Sequence, residues 1–438
     1  MTITTQTQIA PVAQANRIKL IDALRGVALL GILLMNIPGF SMPNYFSETF
    51  KNEPASLNFW VGEVITVVFE GKMRALFSML FGAGILLFIS KKEGVGVHFL
   101  FYRRMFWLAL FGLIHAHLIL WIGDILYLYG VCGMLVYLCR NINPKYLVLA
   151  IPIVAILDFG LNTYFYQGVR NDRIAYVNAK KVETEKKPLT ATQTNALTTW
   201  REIETSMIPN REDAKENTRK MKSDYATVAS YLRPMAWDGQ TEFMLYEIWD
   251  CIALMLLGFA LYKWGFLSGS WSNAAYRKVM LIGYGIGLPL VLYSSYYGFV
   301  NFSTLEANLK RMEQVPINWI DLIYPFQRIF LVMAHASFLI LLYKSGKMQG
   351  IFRRLVSVGQ MAFTNYIMHS IICTLFFFGY GLNYFARFDY YQIYFVVVTI
   401  WIVQLIISPI WLRYFYFGPL EWLWRSLTYW KVQPFKRG

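Results

Sequence analysis

The feature that most constrains this chain is a series of apolar blocks, each about 20 residues long, that recurs along most of its length. A block of this length crosses the hydrocarbon core of a bilayer when it is helical. Hydrophobic residues make up 56% of the chain, and charged residues make up only 15%. The short alternating segments that are typical of outer-membrane barrels do not occur, so helices must satisfy the backbone in lipid. The sequence therefore predicts an all-α integral membrane protein.

The apolar blocks predict about ten transmembrane helices. They lie near residues 20–40, 74–89, 105–121, 124–139, 146–166, 247–264, 279–300, 319–343, 355–379 and 391–412. An even number of spans puts both termini on one side of the membrane, and most basic residues of the short loops fall on that side. They include Arg17, Lys91, Lys92, Arg103, Arg104, Arg353 and Arg354. By the positive-inside rule, we expect both termini in the cytoplasm.

The same blocks divide the chain into five regions. We expect a cytoplasmic N-terminal tail (1–19), membrane helices 1–5 (20–167), one large extracytoplasmic hydrophilic insertion (168–246), membrane helices 6–10 (247–412) and a cytoplasmic interfacial tail (413–438). The insertion has the composition of helices that cover the outer face, with Pro188 and Pro209 as breaks.

Residues 56–70 are apolar but only about half as long as a span, and they carry Glu63. They could form an interfacial helix, a re-entrant segment or a short extra span. We favour the interfacial or re-entrant interpretation, because one more span would invert every later loop.

Composition also excludes several classes of function. The net charge of +15 comes largely from the short loops, so it indicates topology rather than nucleic-acid binding. The four cysteines lie inside apolar blocks without paired spacing, which argues against a disulfide framework and a thiolate metal site. No P-loop, dinucleotide fingerprint or zinc-ligand spacing is present. We therefore expect the lipid bilayer as a partner, no nucleic acid and no metal, and the oligomeric state stays open.

Three polar residues of the first predicted helix share one face. Asp22 and Arg25 are three residues apart, and Arg25 and Asn36 are eleven apart, which is close to three whole turns. This stripe could line a cavity in which Arg25 binds a phosphate or a thioester carbonyl. The alternative is a snorkelling arginine that pairs with Asp22 at the start of the helix.

The third predicted span ends with two histidines and an aspartate in otherwise apolar sequence. An ionisable group at bilayer depth is a functional-site hypothesis by default. His115 falls near mid-bilayer, and His117 projects to a nearly opposite side of the helix. Asp124 follows in a tight turn, where it can cap the next helix or orient a histidine if the two helices pack antiparallel. His115 is then either a general base or a satisfied packing group.

Further basic side chains suggest anion binding. Lys72 and Arg74 break the positive-inside pattern at the outer end of the second span. There they could bind an anionic acceptor or a lipid headgroup, or merely close the helix turn. Arg328 lies midway between Asp321 and His335 at intervals of seven residues, which keeps the three on one face and predicts a polar wall.

The ninth span and the tail each carry one polar pair. Asn365 and His369 are four residues apart and share a helix face that could contact a substrate. The alternative is the interhelical hydrogen bonding that commonly joins membrane helices. Glu421 and Arg425 form an i,i+4 pair on a Trp-rich segment, which predicts an anchor in the membrane interface.

Five short motifs resemble those of the YeiB-like family of bacterial multi-pass membrane proteins (domain of unknown function 418), and they occur in the same order. They are RIKLIDALRGVALLGILLMNI (17–37), GKMRALFSMLFGAG (71–84), GLIHAHLILWIGDILYLYG (112–130), MAFTNYIMHS (361–370) and FGPLEWLWRSLTY (417–429). The resemblance covers the membrane region but not the insertion. It implies a multi-pass protein of the bacterial cell (inner or plasma) membrane, and it favours His115 because the family's GLIH pattern has its histidine there.

The first helix is also similar, more distantly, to that of membrane acyltransferases such as heparan-glucosaminide N-acetyltransferase and the O-acetyltransferases of bacterial surface sugars. The similarity rests on the LRG at 24–26 and on the residue eleven positions after its arginine. In the O-acetyltransferases that residue is usually a histidine, whereas here it is Asn36, so no catalytic role is carried over. His115 is then the preferred base of such an enzyme, with His335 and His369 as its rivals.

These observations support two main hypotheses of function. The first is a membrane-embedded acyltransferase that moves an acyl (acetyl) group from cytoplasmic acyl-CoA to an extracytoplasmic hydroxyl or amine, such as a cell-surface glycan or lipid. The second is a transporter or flippase of a small or lipid-linked substrate, for which the buried charges would form a path. A non-catalytic scaffold is a third interpretation, so the sequence leaves open whether the chain is an enzyme.

Overall fold

A computed structural model describes residues 18–44, 53–90, 96–207, 210–302 and 304–437. Across these ranges the chain is helical, and its only strand-like contact is an isolated bridge between Phe415 and Lys436. The predicted all-α class is therefore confirmed. The predicted N-terminal tail (1–19) lies almost wholly outside the described residues, as do the topology markers Arg17, Lys91 and Lys92.

The helices of the described residues are numbered in chain order. They are α1 (Lys19–Ser41), α2 (Leu57–Val68), α3 (Lys72–Ile89), α4 (Gly96–His117), α5 (Leu126–Val136), α6 (Pro144–Thr184), α7 (Ala191–Met207), α8 (Arg211–Met221), α9 (Tyr225–Gln240), α10 (Met244–Lys263), α11 (Asn273–Phe302), α12 (Leu305–Gln314), α13 (Ile320–Lys344), α14 (Gln349–Gln360), α15 (Ala362–Phe377), α16 (Ile393–Tyr414) and α17 (Pro419–Tyr429). Eight helical segments are long and apolar enough to cross a membrane, with α2 and α3 counted as one. Two shorter apolar helices, Leu126–Cys139 and Ala362–Phe377, occupy the other two predicted spans. The chain is a multi-pass helical membrane protein.

The predicted start of the insertion does not coincide with the end of a helix. Asn143 caps the N-terminus of α6 through its side chain, Pro144 occupies the first turn, and the helix then continues for 41 residues. At 1.5 Å per residue this is about 60 Å, which is roughly twice the thickness of a bilayer core. The predicted boundary at residues 167 and 168 therefore lies inside α6, and Pro188 marks the break before α7. Pro209 lies outside the described residues.

The insertion and the tail helix α17 pack against opposite ends of helices α4 and α15. At one end, the Trp424 indole of α17 donates to the Arg104 carbonyl of α4 at 2.9 Å. At the other end, the Tyr225 hydroxyl of α9 donates to the Leu118 carbonyl just beyond α4 at 2.8 Å. We call these the tail end and the cap end of the bundle. Helix α15 likewise meets α17 at its start and the insertion just after its end.

Residues 56–70 form α2 and the turn that leads into α3. The first turns of α2 pack against the last turns of α11. At its other end, the Val68 carbonyl accepts a hydrogen bond from His335 in the second half of α13, at 2.9 Å. Helix α3 then starts inside the bundle at Lys72, which is 1% exposed. By length and composition, Leu57–Ile89 counts as one candidate span that is broken by the turn between α2 and α3. The interfacial or re-entrant interpretation of residues 56–70 stays a prediction.

Helix α1 lies at the centre of the bundle and crosses α14 at a very short distance. A Cβ on Gly26 would collide with the Leu355 carbonyl, and one on Gly359 would collide with the Asp22 carbonyl. Small residues on both helices let the two backbones approach, as is common in membrane proteins. The crossing holds Asp22 and Arg25 at the tail end of the bundle.

Candidate functional site

A cavity of about 220 Å³ lies at the tail end, among α1, α3, α4, α15 and α17. Five charged side chains line it: Asp22, Arg25, Arg104, Glu421 and Arg425. We call it the tail-end cavity. Its three guanidinium groups outnumber its two carboxyl groups, which favours an anionic ligand.

The guanidinium groups are held by different kinds of partner. Arg25 donates from Nη1 to Asp22 Oδ1 at 2.8 Å, one turn back along α1. Arg104 instead lies between two rings, 3.6 Å above the Trp424 ring and 4.9 Å from the Phe88 ring. Cation–π contacts of this kind orient a guanidinium by its faces, and its N–H groups lie in its plane. Arg104 is thus held in place while its donors point along the cavity wall.

Glu421 closes the cavity by joining two helix starts. Its carboxylate accepts from the backbone N–H groups of Phe363 and Thr364 at 2.7 and 3.1 Å, which caps α15. In return, the Thr364 hydroxyl donates to Glu421 at 2.5 Å and accepts from the Leu420 N–H at 3.1 Å, which caps α17. Burial raises the pKa of Glu421 above its ordinary value, although these hydrogen bonds oppose the rise. The predicted i,i+4 anchor therefore builds the cavity wall.

Away from the charges, the cavity is a mainly apolar passage. Phe81, Met105 and Leu108 line it as α3 and α4 run toward the cap end. At the deep end stand two tyrosines, Tyr129 and Tyr366. Such a passage suits a ligand with an anionic head and a long, weakly polar arm.

One turn beyond the deep end, three polar side chains form a continuous hydrogen-bonded chain. His115 Nδ1 lies 2.7 Å from Asp124 Oδ1, and His115 Nε2 lies 2.7 Å from Ser370 Oγ. The His115 and Asp124 side chains are at most 1% exposed, and Ser370 is 1% exposed. Buried polar groups in lipid-embedded protein are costly unless they are satisfied, and here each satisfies the next.

Asp124 is positioned by the start of α5. Its two oxygens accept from the backbone N–H groups of Leu126 and Tyr127 at 3.1 and 2.9 Å, so it caps the helix. Gly112 on α4 makes room for this arrangement, because a Cβ there would collide with the Tyr127 nitrogen and lie 2.6 Å from Asp124 Oδ2. The carboxylate therefore has both roles that the sequence offered as alternatives, since it caps α5 and contacts His115.

Tyr366 separates this chain from the cavity. Its ring centroid lies 5.2 Å from that of His115, and its hydroxyl donates to the Gly123 carbonyl at 3.4 Å. The same hydroxyl accepts from the Ile125 N–H at 3.3 Å. Neither His115 nor Ser370 lines the cavity. These hydroxyl contacts are long and therefore weak, so the position of the ring depends mainly on its packing in the core.

Lys72, Arg74 and Arg328 occupy a different place. Arg74 and Arg328 both contact the Asp250 carboxylate, and Arg74 Nη2 lies 3.0 Å from it. Lys72 donates to the Thr66 carbonyl at 2.8 Å and lies near Glu70. We call Glu70, Lys72, Arg74, Asp250 and Arg328 the charge cluster. Lys72 thus bonds back to the end of α2, which matches the alternative that it closes the helix turn, while Arg74 pairs with Asp250.

Asn36 does not line the cavity, so the predicted stripe on α1 reaches it only through Asp22 and Arg25. Asn365 and His369 also face away from it, toward α16. The Asn365 amide donates to Ser408 at 3.1 Å, and His369 Nε2 lies 2.9 Å from Gln404 Oε1. These contacts match the alternative of interhelical hydrogen bonding.

The other histidines and the residues of the predicted polar wall each contact a different partner. His117 pairs with Gln240 of α9 at 3.0 Å, and Asp321 pairs with Asn318 at 2.9 Å. His335 bonds to a backbone carbonyl of α2. No group of metal-ligating side chains occurs among the described residues. Sequence reasoning did not assign a role to Ser370 or Tyr366, although both lie within the MAFTNYIMHS motif, one turn apart.

The comparisons with known proteins agree with the motifs. Residues 261–431 match the model of the DUF418 family, which is described as a protein of unknown function. This DUF418 region contains Tyr366, Ser370 and Glu421, whereas His115 and Asp124 precede it. The match confirms the resemblance to YeiB-like proteins, while the similarity to acyltransferases stays a prediction.

Full-length relatives extend the match beyond the DUF418 region. The chain is 28% identical to the uncharacterized protein YxaH of Bacillus subtilis over 97% of this chain and 98% of the relative. It is 29% identical to the uncharacterized protein YeiB of Escherichia coli K12 over 93% of this chain and 95% of the relative. A 39.9 kDa uncharacterized protein of Bacillus acidopullulyticus is 27% identical, over 96% of each chain. No solved structure matches the chain.

Proposed function

We propose that this protein transfers an acyl group from cytoplasmic acyl-CoA to a hydroxyl or amine acceptor outside the bacterial cell membrane. The observation that carries the proposal is the tail-end cavity, which leads from three guanidinium groups to Tyr366, beside the buried Asp124–His115 pair. The basic loops that predict a cytoplasmic tail end support the direction of transfer.

The cavity suits the two halves of acyl-CoA. The nucleotide half carries several phosphate charges, and arginines bind phosphate through paired, charge-assisted hydrogen bonds. Arg25, Arg104 and Arg425 line the cavity, where they would contact the phosphates. The pantetheine arm is narrow and weakly polar, which fits the aromatic and aliphatic passage. In this pose the thioester approaches Tyr366.

His115 would act as the general base. A carboxylate can only accept hydrogen bonds, so Asp124 selects the tautomer in which Nδ1 carries the proton. Nε2 is then free to accept a proton from a hydroxyl or amine during acyl transfer. The acceptor, a cell-surface glycan or lipid, would reach this point from the cap end.

The first test compares His115→Ala with His117→Ala, because His117 lies near His115 on the same helix but bonds to Gln240. Purified protein in nanodiscs is given labelled acetyl-CoA and a bacterial lipid and glycan extract, and CoA release and labelled product are measured. We expect H115A to lose at least about a hundredfold in rate while the affinity for acetyl-CoA is unchanged. H117A should keep both. Full activity in H115A would remove the proposed base, and an absence of acetyl-CoA binding in the wild type would contradict the function.

The charge cluster supports a second candidate, a transporter or flippase of an anionic substrate. Buried charges next to a broken span are typical of transport sites. Here Lys72 starts the half-span α3 inside the bundle, next to Arg74 and Arg328. Substrate flux into proteoliposomes that contain no acyl-CoA would favour this function over acyl transfer.

A further inference from the structure

We infer that Ser370 is a covalent nucleophile that carries the acyl group between donor and acceptor. The inference rests on the proposed function for the identity of the donor, but not for the reactivity of the serine. Its basis is the hydrogen-bonded sequence Asp124–His115–Ser370, drawn from α4, the turn before α5, and α15.

The proton positions follow from the chemistry of the three groups. Since Asp124 must accept from His115 Nδ1, the imidazole Nε2 has a free lone pair in its neutral form. Ser370 Oγ lies 2.7 Å from that lone pair and donates its proton to it. A serine that donates to an imidazole oriented by a carboxylate is the arrangement that activates hydroxyl nucleophiles in unrelated hydrolases.

His369, the neighbour of Ser370 on α15, provides an internal comparison. It is also buried, but its partner is the neutral amide of Gln404, and its Nδ1 has no partner among the described residues. One hydrogen bond between helices is enough to explain its position. His115 differs because a carboxylate and a hydroxyl occupy its two nitrogens, at a considerable desolvation cost for the carboxylate. Helix packing alone does not require that cost.

The reaction balances in two steps. In the first, Ser370 Oγ attacks the carbonyl carbon of the thioester, its proton passes to His115 Nε2, and the C–S bond breaks. The CoA sulfur leaves with that proton as a thiol, and the acyl group remains on Ser370 as an ester. In the second, the acceptor hydroxyl or amine attacks the ester carbonyl and gives its proton to His115. The ester C–O bond then breaks, and Ser370 Oγ recovers the proton.

Tyr366 controls access to this serine. Its ring stands between the cavity and the Asp124–His115–Ser370 chain, so it must turn aside before a thioester can reach Ser370. The move breaks the two long contacts of its hydroxyl and the packing of its buried ring. One of these frees the Ile125 N–H at the start of α5, a backbone donor that can then face the thioester oxygen.

The direct test needs no acceptor. Wild-type protein in nanodiscs is incubated with acetyl-CoA, quenched in acid, digested and analysed by mass spectrometry for an acetylated peptide that contains Ser370. We expect acetyl-Ser370 in the wild type, none in Ser370→Ala or H115A, and an acetyl thioester that hydroxylamine releases in Ser370→Cys. Ser337→Ala is the matched control, because Ser337 is equally buried on α13 and its hydroxyl has no hydrogen-bond partner among the described residues.

A second probe separates this inference from the proposed function. A small alkyl fluorophosphonate should modify Ser370 in the wild type and in S337A, and H115A should reduce that labelling at least tenfold. If the fluorophosphonate modified Ser370 but acetyl-CoA did not bind, Ser370 would still be a nucleophile, and acetyl-CoA would not be its donor. If S370A released CoA and formed product at the wild-type rate, the proposed acyl transfer would stand, and the inferred role of Ser370 would be overturned. The inference is equally overturned if Ser370 carries neither acetyl nor the fluorophosphonate in wild-type protein that turns over acetyl-CoA.

Discussion

The tail-end cavity and the charge cluster both bury ionisable side chains in the membrane region, but they satisfy them differently. In the cluster, arginines bond directly to Asp250, and the adjacent cavity of about 10 Å³ has room for about one water. In the tail-end cavity, aromatic rings hold Arg104, and about 220 Å³ of space remains. Burial of charge is therefore not a sufficient sign of a binding site. Arg25 pairs with Asp22 much as the cluster arginines pair with Asp250, so the tail-end cavity is distinguished by the space beside its charges and by the ring contacts of Arg104.

The largest expected difference between the two regions appears when one carboxylate is neutralised in each. Asp124→Asn keeps the shape but leaves one side-chain oxygen where two accept from the start of α5, and it removes the charge that orients His115, so we expect acyl transfer to fall at least about a hundredfold. Donor affinity should barely change, and stability should fall less than in Asp250→Asn. Asp250→Asn should lower stability more and acyl transfer less, because buried Arg328 and partly buried Arg74 lose their counter-charge, at a cost of about 3–5 kcal/mol.

For both variants, acyl transfer is measured as acetyl-CoA turnover in nanodiscs, and stability is measured by thermal melting. If D250N lost activity while its melting temperature stayed at the wild-type value, the charge cluster would belong to the reaction.

A smaller effect is expected when one arginine is removed from each region. Arg104→Ala should weaken acetyl-CoA binding by about 10- to 100-fold, because a charge-assisted hydrogen bond is worth roughly 1.5–3 kcal/mol. Arg74→Ala should leave the affinity unchanged. Titration of labelled acetyl-CoA against each variant tests this, and equal losses in both would mean that the ligand does not occupy the tail-end cavity.

The smallest effect concerns pH at the cavity wall. Because burial raises the pKa of Glu421 above its ordinary value of 4.5, its contribution to stability is complete below pH 4.5 and is lost as the pH rises through the raised pKa. The melting temperature of the wild type should therefore fall relative to Glu421→Gln across that window, and run parallel to it at higher pH.

Glu216→Gln is the matched control for this measurement. The hydrogen bond with Arg219 lowers the pKa of Glu216 to about 2, so its ionisation does not change in the window tested for Glu421. A wild-type curve that stayed parallel to E421Q from pH 4.5 upward would show that the Glu421 carboxyl does not titrate as its burial requires.

Much of the fold was accessible from sequence, because lipid forces helices on any apolar block of sufficient length. The spans follow from that rule alone, whereas the helices of the hydrophilic insertion follow from its composition. The path of α2 was not accessible, since its length fits several placements and only packing against α11 and α13 selects one.

In the candidate site, too, sequence spacing indicated some contacts and not others. His115 and Asp124 are nine residues apart on either side of a tight turn, so their contact was one of the arrangements that the sequence offered. Ser370 lies 255 residues from His115 in the chain, and no spacing predicts a contact over that separation. Asn365 and His369 drew attention as polar residues on one face, yet that face turns toward α16 and leaves Ser370 to meet His115.

The mutual cap between Thr364 and Glu421 has a consequence for biogenesis. The tail-end cavity lacks one wall until α17 has been synthesised, 57 residues after the backbone N–H of Thr364 that Glu421 caps. A nascent chain that has already inserted the apolar helices up to α16 therefore still lacks a complete pocket. The proposed ligand site is complete only when α17 docks, so the synthesis of α17 sets the moment at which the protein could bind that ligand.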